Sequence, residues 1–302
     1  MAPRKSKQTH NFPHPMDNHS LVGHDDVMRT FMDAWGKRNE HSIHPVWMLS
    51  GPRGIGKATL AHHIARMVVG NASDFFLIDM ERNIDKDGKP KTDGKVISVY
   101  TVRKMIEQMQ LSSSSGEWRV VLIDSVDELN TNASNAILKL LEEPPAKTLF
   151  LLVVHQLSNV LPTVRSRARV EKITPLSVSQ LRELCIKFIP EEDISTATLR
   201  LANGSFGKIA NLKKSGGDEI YEELIELLEN PRTNSSDMMN IAKKIAPTPE
   251  LHGILLDAIA HFGLADLYPD ATRAISDIGR IHLEPEIGIF KIIKETKQSL
   301  FK

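Results

Sequence analysis

The sequence predicts an α/β fold with a doubly wound parallel sheet, followed by segments that are helical throughout. Three apolar strand signals, at 46–49, 120–124 and 149–154, alternate with helical patterns, which is typical of a parallel sheet covered on both faces. Beyond Pro175 the strand signals fade and helical periodicity takes over. The 302 residues are about twice the usual length of one domain, so we expect more than one core.

The predicted domain layout has four parts. A basic tail at 1–18 lacks the apolar segment of a secretory signal and is expected to be disordered. The α/β domain follows at 19–173, then a small helical domain at 174–217 and a C-terminal helical domain at 218–302. We interpret Ser215-Gly216-Gly217 as the linker between the two helical domains.

The first elements of the α/β part are predicted from periodicity and turn residues. An amphipathic helix is expected at 21–38, and a second helix at 58–69 follows the first strand. A turn-rich interval comes next, with loop tips at Asp87-Gly88 and Asp93-Gly94. We interpret this interval as a surface excursion.

The second half of the α/β part continues the alternation. A strand at 96–99 and a helix at 101–111 are expected before a flexible break at 112–116. A helix is predicted at 132–143, because its apolar residues recur along one stripe and Pro144-Pro145 ends it.

The helical part begins with two short helices, expected at 178–188 and 195–202. This small unit is predicted to close at Gly204-Ser205-Phe206-Gly207, and a further helical block starts at Asp218.

Composition excludes several classes of protein. Cys185 is the only cysteine, so an internal disulfide and a multi-cysteine zinc site are excluded and a reducing compartment is expected. The apolar run 149–154 is far shorter than the ~20 residues that span a bilayer, so no membrane partner is predicted. Residues 219–302 contain 9 Lys and Arg against 14 Asp and Glu, a skew too small to indicate nucleic-acid binding by itself.

A glycine loop at 51–57 carries the clearest chemical signal. Gly51, Gly54, Gly56 and Lys57 fit the GxxxxGK pattern, in which backbone N–H groups at a helix N-terminus bind phosphates and the lysine supplies a positive charge. The loop lies between a predicted strand and a predicted helix, as this chemistry requires. A glycine turn without a ligand is the alternative.

The residue after the lysine departs from the pattern. A Ser or Thr hydroxyl normally holds Mg²⁺ at that position, and this chain has Ala58. Thr59 is one helical step further, so its side chain should turn about 100° away from the phosphates. Asp124, at the end of strand 120–124, resembles the metal-holding aspartate of P-loop ATPases. We therefore expect weak ATP or ADP binding and poorly held magnesium.

Four segments together resemble bacterial clamp-loader subunits of the AAA+ class. They are 21–24 (LVGH), 51–61 (GPRGIGKATLA), 135–145 (NAILKLLEEPP) and 161–167 (LPTVRSR). The last two are much more specific than the glycine loop. The C-terminal block resembles the family only in being helical.

The resemblance implies an AAA+ P-loop domain, a small helical lid domain and an all-α collar domain. Five subunits of such a loader form a ring through their collars, open the sliding clamp and place it on primed DNA during replication. The implied partners are the other loader subunits (gamma/tau and delta), the clamp and, through the complex, primed DNA. The implied location is the bacterial cytoplasm, within a DNA polymerase holoenzyme.

The resemblance also implies a role for Arg167. In the family, a Ser-Arg-Cys motif offers its arginine to ATP bound on the neighbouring subunit, and this chain has Ser166-Arg167-Ala168. Arg167 is therefore the candidate arginine finger acting in trans, and its planar guanidinium suits phosphate oxygens. The alternative is that Arg165, Arg167 and Arg169 only add surface charge.

Other family positions carry over with departures. His155 takes the place of a polar sensor of the γ-phosphate, with a purely structural role as the open alternative. Lys208 stands where active relatives place a sensing arginine and is a weaker ligand for phosphate. Ser125 replaces the glutamate that polarises water in hydrolysing relatives, and a serine cannot act as a general base near neutral pH. Glu128 is expected to be a helix-start or surface carboxylate.

These departures predict a stator that does not hydrolyse ATP, requires no cofactor and lends Arg167 to a neighbour. The alternative is an active, motor-type AAA+ ATPase in which Thr59 and Glu128 replace the missing groups. A small-molecule P-loop kinase is the least favoured hypothesis, because it needs neither the LLEEPP nor the SR motif. No metal site is predicted: residues 75–96 lack the cysteines of the zinc module found in many relatives, and His62-His63 has no partner ligands in sequence.

Overall fold

A five-stranded parallel sheet organises the first half of the protein. The strands are β1 (Val46–Ser50), β2 (Phe75–Asp79), β3 (Arg119–Asp124), β4 (Thr148–Val154) and β5 (Arg169–Lys172). They lie in the order β2-β3-β4-β1-β5, and every neighbouring pair is parallel. The computed structural model describes residues 12–38, 43–91, 96–111, 117–189, 194–278 and 284–301.

Helices cover both faces of this sheet. Alternate residues of each strand point to opposite faces, so Trp47 and Leu49 of β1 enter one core while Val46 and Met48 enter the other. Helices α1 (Asp25–Gly36) and α2 (Lys57–Val68) pack on the Trp47 face. Helices α3 (Val99–Leu111) and α4 (Thr131–Glu142) pack on the Met48 face, and the short α5 (Pro162–Arg165) precedes β5. The predicted doubly wound parallel sheet is confirmed.

Two strands lie outside the sequence-predicted set, and one predicted strand is wrong. β2 falls within the interval interpreted as a surface excursion, although Phe75–Asp79 begins with four apolar residues. β5 has a mixed polar sequence, RVEK, and its pairing with β1 rather than an apolar run defines it. The strand expected at 96–99 reduces to one bridge between Ile97 and Leu129, because α3 already begins at Val99.

The remaining α/β elements lie close to their predicted positions. α1 begins at Asp25 rather than at 21, because Gly23 and His24 have φ angles of 78° and 64° that a right-handed helix cannot include. The loop tip at Asp87-Gly88 is a turn, with Gly88 donating to the Asp85 carbonyl at 3.1 Å. The predicted tip at Asp93-Gly94 and the break at 112–116 lie outside the described residues.

The described part of the predicted tail contacts α2. Residues 1–11 lie outside the described residues, and the disorder expected for 1–18 stays a prediction. Arg66 of α2 donates to the carbonyls of Met16 and Asn18, both at 2.8 Å. The His14 ring lies 6.3 Å from the ring of His62.

The chain divides into two units, Pro13–Leu176 and Ser177–Lys302, the second of which also includes Phe12. The helices of the second unit are α6 (Val178–Phe188), α7 (Thr196–Ala202), α8 (Phe206–Ser215), α9 (Gly217–Glu229), α10 (Ser235–Ile245), α11 (Gly253–His261), α12 (Tyr268–Ile278) and α13 (Pro285–Leu300). The predictions of α6 and α7 are confirmed. Within the described residues, no helix is long and apolar enough to cross a bilayer.

The predicted linker is instead a tight helix junction. The sequence did not predict α8, because the glycines on either side of Ser205-Phe206 indicated the end of a helical unit. Instead, Ser205 begins α8: its side chain caps the helix by accepting a hydrogen bond from the Lys208 N–H. Gly216 alone separates α8 from α9, with φ of 68°. A Cβ on Gly217 would lie 2.4 Å from the Leu251 side chain, so this glycine serves close packing. The division into lid and collar domains stays a prediction.

A hydrophobic core cluster in the helical unit has a buried cation, Lys297, beside it. Tyr221, Leu224 and Ile289 lie at its centre, each at most 1% exposed. Lys297 of α13 is buried and donates to the carbonyls of Leu227 (2.7 Å), Leu228 (3.1 Å) and Asn230. These carbonyls end α9 and lack helical partners, so Lys297 acts as a C-terminal cap.

Candidate functional site

The carboxyl ends of three neighbouring strands bring the predicted site residues together. The glycine loop 51–57 follows β1, Asp124 ends β3, and His155 follows β4. β4 pairs with both β1 and β3 in parallel register, so these three ends lie at the same edge of the sheet. In open α/β sheets, ligands bind at this edge.

The glycine loop has a conformation that depends on its glycines. Gly54 and Gly56 have φ angles of 80° and 98°, which favour glycine, and α2 begins directly after Gly56. A Cβ on Gly51 would lie 2.6 Å from the carbonyl oxygen of Ile173, so the backbone passes too close for a larger residue. The loop therefore delivers the open N–H groups of a helix N-terminus to the sheet edge, where they can bind an anion.

His24 is a contact of this loop that the sequence did not single out. Its Nε2 lies 2.7 Å from the Ile55 carbonyl oxygen, and a Cβ on Gly56 would lie 3.2 Å from the same nitrogen. Burial lowers the pKa of His24. The only sequence signal was its place in the LVGH segment.

Lys57 places a buried cation at the base of the loop. The side chain is 2% exposed and its Nζ donates to the Pro52 carbonyl at 2.5 Å. Burial lowers the pKa of Lys57 to about 8, while Asp124 and Asp127 act in the opposite direction. At neutral pH the ammonium stays charged, and no carboxylate of the described residues forms an ion pair with it.

Three acidic residues, Asp124, Asp127 and Glu128, lie at the end of β3 and in the turn that follows it. Burial, and after it the charge of Glu128, raises the pKa of Asp124 to about 6. Asp127 accepts hydrogen bonds from the backbone N–H groups of His155 (3.0 Å) and Gln156 (2.9 Å), which ties β3 to β4. Glu128 forms an ion pair with Arg53 of the glycine loop.

The expectation that Glu128 is a helix-start or surface carboxylate is therefore wrong. Its side chain is 22% exposed and lies at the site. The reason is local: Val126–Glu128 forms one turn of 3₁₀-helix directly after β3, and α4 starts only at Thr131, so Glu128 stays at the sheet edge.

The two departures from a hydrolytic site lie in this same region. Ala58 and Thr59 are the second and third residues of α2. Ser125 is 1% exposed, and its Oγ has no hydrogen-bond partner within the described part of the chain. Neither Ala58 nor Ser125 supplies an anionic ligand or a base.

His155 is half-buried beside the loop cations. Its Nδ1 is buried and lacks a hydrogen-bond partner in the described ranges. Burial, followed by the charges of Lys57 and Arg53, lowers the pKa of His155 to about 4. The ring is therefore neutral at pH 7.

Arg167 lies between α5 and β5 and is held by groups of its own unit. Its Nη1 donates to the Thr163 carbonyl at 2.7 Å, and its Nη2 pairs with the carboxylate of Glu142. A pocket of about 510 Å³ opens beside this pair, lined by His44, Pro45, Leu141, Glu142, Pro144, Ser166 and Arg167. Glu142 is the last residue of α4 and belongs to the LLEEPP segment.

Two other residues singled out from the sequence, Lys208 and His62, make contacts with neighbouring side chains. Lys208 on α8 forms an ion pair with Asp257 of α11 at 2.6 Å. The His62 ring packs 5.7 Å from the Phe75 ring. Among the described residues, no group of three or more His, Cys, Asp or Glu side chains is arranged to hold a metal ion.

The glycine loop 51–57 joins the parallel strand β1 to helix α2, and Asp124 ends β3, which is separated from β1 by β4. This arrangement defines a P-loop nucleotide-binding fold. Residues 36–177 match the family described as "DNA polymerase III, delta subunit". The chain is also similar to delta', gamma and tau subunits of DNA polymerase III.

Individual relatives show how far the similarity extends. The delta' subunit of Pseudomonas aeruginosa is 29% identical over 216 residues, covering 64% of this chain and 62% of that protein. The delta' subunit of Yersinia pestis is 35% identical over 122 residues, covering 40% and 33%. The gamma subunit of Buchnera aphidicola from Schizaphis graminum is 28% identical over 208 residues, covering 66% and 51%. The chain thus spans less than two thirds of the length of these relatives.

Among solved structures, a DNA polymerase III gamma-subunit-related protein from Thermotoga maritima aligns with a TM-score of 0.48 at 14% identity. The alignment covers 88% of this chain and 98% of that chain.

Proposed function

We propose that this chain is a delta'-type subunit of the DNA polymerase III clamp loader that does not hydrolyse ATP. In this proposal it assembles with gamma/tau and delta subunits in the bacterial cytoplasm, and offers Arg167 to ATP bound on a neighbour. The complex then loads the sliding clamp on primed DNA. The names of the matching relatives support the assembly. One observation carries the separate roles of this chain and its neighbour: Ala58 and Ser125 replace the hydroxyl ligand and the base of a hydrolytic site, whereas Arg167 lies beside a pocket.

The chemistry of the P-loop site supports binding without turnover. The backbone of the glycine loop and the charge of Lys57 suit a phosphate. Ala58 has no hydroxyl for Mg²⁺, and the buried Ser125 cannot polarise water at neutral pH. ATP or ADP would therefore bind weakly and stay intact.

A second candidate function, an active motor-type ATPase, is favoured by Glu128. This carboxylate lies close enough to Asp124 to raise its pKa, and it could act as the general base if its ion pair with Arg53 opened. Thr59 would then have to replace the missing hydroxyl ligand. The stator proposal is preferred because Glu128 is already engaged.

The experiment uses the complete loader, reconstituted from this chain and its partner subunits, with primed DNA and clamp. Arg167→Ala should abolish ATP turnover at the interface it serves, because a finger in trans is worth about 10³- to 10⁵-fold in rate. Arg165→Ala, an exposed arginine two residues earlier, is the matched control and should leave turnover unchanged. Size-exclusion chromatography should show that both variants still assemble.

Two results would contradict the proposal. Unchanged ATP turnover by the loader with Arg167→Ala would show that Arg167 is not an arginine finger. ATP hydrolysis by the purified chain at ordinary enzyme rates, lost in Glu128→Gln, would establish the motor-type function instead.

A further inference from the structure

The guanidinium of Arg167 is held from two directions by its own chain. Thr163 of α5 accepts a hydrogen bond from Nη1 through its carbonyl at 2.7 Å, and the Ser166 hydroxyl lies 3.4 Å from the same nitrogen. Glu142, the last residue of α4, binds Nη2. Contacts from two different elements fix both the position and the plane of the guanidinium.

This arrangement leaves part of the guanidinium open. An arginine has five N–H donors. Nε and the second hydrogen of Nη2 have no partner among the residues that the structure describes. The side chain of Arg167 is 32% exposed, and the pocket beside it gives access to a ligand. A phosphate can therefore bind the open edge while Glu142 keeps the other.

We propose that Glu142 is a positioning residue that holds Arg167 in the orientation in which it meets the phosphates of a neighbour's nucleotide. The inference rests on the proposed role of Arg167. It adds a residue that touches neither the nucleotide nor the reacting atoms and acts only through the arginine.

The position of Glu142 in α4 supports a specific role. An acidic residue in the last turn of a helix opposes the helix dipole, so a carboxylate there is unfavourable unless a cation offsets it. The preceding residue, Leu141, is buried in the core, and Pro144 follows closely, so the backbone that carries Glu142 is well anchored. The carboxylate therefore has a fixed base from which to orient Arg167.

The contribution of this pair lies in orientation rather than in stability. Glu142 is 48% exposed and Arg167 is 32% exposed, and exposed ion pairs contribute little to the free energy of unfolding. An arginine left unsupported samples many rotamers. Misplacement of a reacting group by about 1 Å can cost about 10²-fold in rate, so a modest restraint on Arg167 has a large effect on turnover.

The test is a double-mutant cycle in the reconstituted loader with primed DNA and clamp. Glu142→Ala should lower kcat about 10-fold with little change in the KM for ATP, because the neighbour still binds the nucleotide. Glu142→Gln keeps an acceptor oxygen and should recover part of the rate. In the Arg167→Ala background, Glu142→Ala should have no further effect. Glu143→Ala, the adjacent exposed glutamate, is the matched control.

The outcomes separate this inference from the proposed function. If Arg167→Ala leaves turnover unchanged, the finger itself is refuted. If Arg167→Ala lowers turnover but Glu142→Ala behaves like Glu143→Ala, the finger stands and the positioning role is refuted. An effect of Glu142→Ala that persists without Arg167 also overturns it.

A second measurement needs no partner and covers the case in which Glu142→Ala folds poorly. In ¹⁵N NMR spectra of the full chain, rotation of the Arg167 guanidinium should be slow in the wild type and faster in Glu142→Gln. Equal rotation rates in the two proteins would contradict the inference.

Discussion

Replacing Lys57 with methionine should stabilise the α/β unit while removing the phosphate-binding charge. Lys57 is 2% exposed, and burial lowers the pKa of its ammonium from 10.5 to about 8. Each pKa unit corresponds to about 1.4 kcal/mol, so the charged form is disfavoured in the fold by about 3 kcal/mol. Loss of the hydrogen bond to Pro52 offsets about 1 kcal/mol of this. We expect Lys57→Met to raise the free energy of unfolding at pH 7 by about 2 kcal/mol.

The same pKa gives the expected pH dependence. Below pH 8 both the folded and the unfolded chain keep the Lys57 proton, so the full penalty applies. Between pH 8 and 10.5 the folded state releases the proton while the unfolded state keeps it, so wild-type stability rises with pH. The variant lacks this titration, and the difference between the two proteins should shrink as the pH approaches 9.5.

Urea unfolding followed by tryptophan fluorescence measures both effects. Trp35, Trp47 and Trp118 all lie in the α/β unit, so the signal reports on that unit alone. Lys104→Met, at an exposed position of α3, is the control and should change neither stability nor its pH dependence. A Lys57→Met protein no more stable than the wild type at pH 7, with the same pH dependence, would refute the reasoning.

Two further predictions follow from packing and burial. Gly51→Ala should lower the free energy of unfolding by about 1–3 kcal/mol, measured by thermal unfolding, because the new Cβ would lie 2.6 Å from the Ile173 carbonyl. Burial lowers the pKa of His62 from 6.5 to about 4. Between these pH values the unfolded chain binds a proton at His62 that the folded chain does not, so the free energy of unfolding falls as the pH drops from 6.5 to 4. His62→Phe should weaken that fall, measured by urea unfolding at pH 4.5 and 7. For Gly51→Ala, the control is Gly70→Ala, which meets no atom within 4 Å, and equal unfolding temperatures would disprove the clash. For His62→Phe, the exposed His261→Gln is the control, and an undiminished pH dependence would show that His62 is not responsible.

The sequence predicted the three central strands of the sheet better than its two outer strands. β1, β3 and β4 are buried on both faces, so each is a run of apolar residues that can be recognised locally. β2 and β5 are edge strands with partly exposed residues, and pairing with a neighbour defines them. Local sequence carries little of that information, and both were missed.

The candidate site shows the same division. The glycine loop, Asp124 and His155 follow recognisable strands, so topology alone places them at one sheet edge. The ion pairs of Arg53 with Glu128 and of Arg167 with Glu142 join residues 75 and 25 positions apart. Such pairs depend on where side chains meet in the folded chain, and no spacing in the sequence indicates them.

The groups that suit a phosphate and the groups that would cleave it are separable in this molecule. Binding needs the backbone of the glycine loop and the charge of Lys57, and the fold keeps that charge at a cost in stability. A bound phosphate would pair with the buried ammonium and so remove much of this cost. Hydrolysis needs a metal ligand after Lys57 and a base after Asp124, and Ala58 and Ser125 supply neither. If the proposed absence of hydrolysis holds, a nucleotide in this pocket would raise the stability of the α/β unit, which also carries Arg167, and would not be consumed.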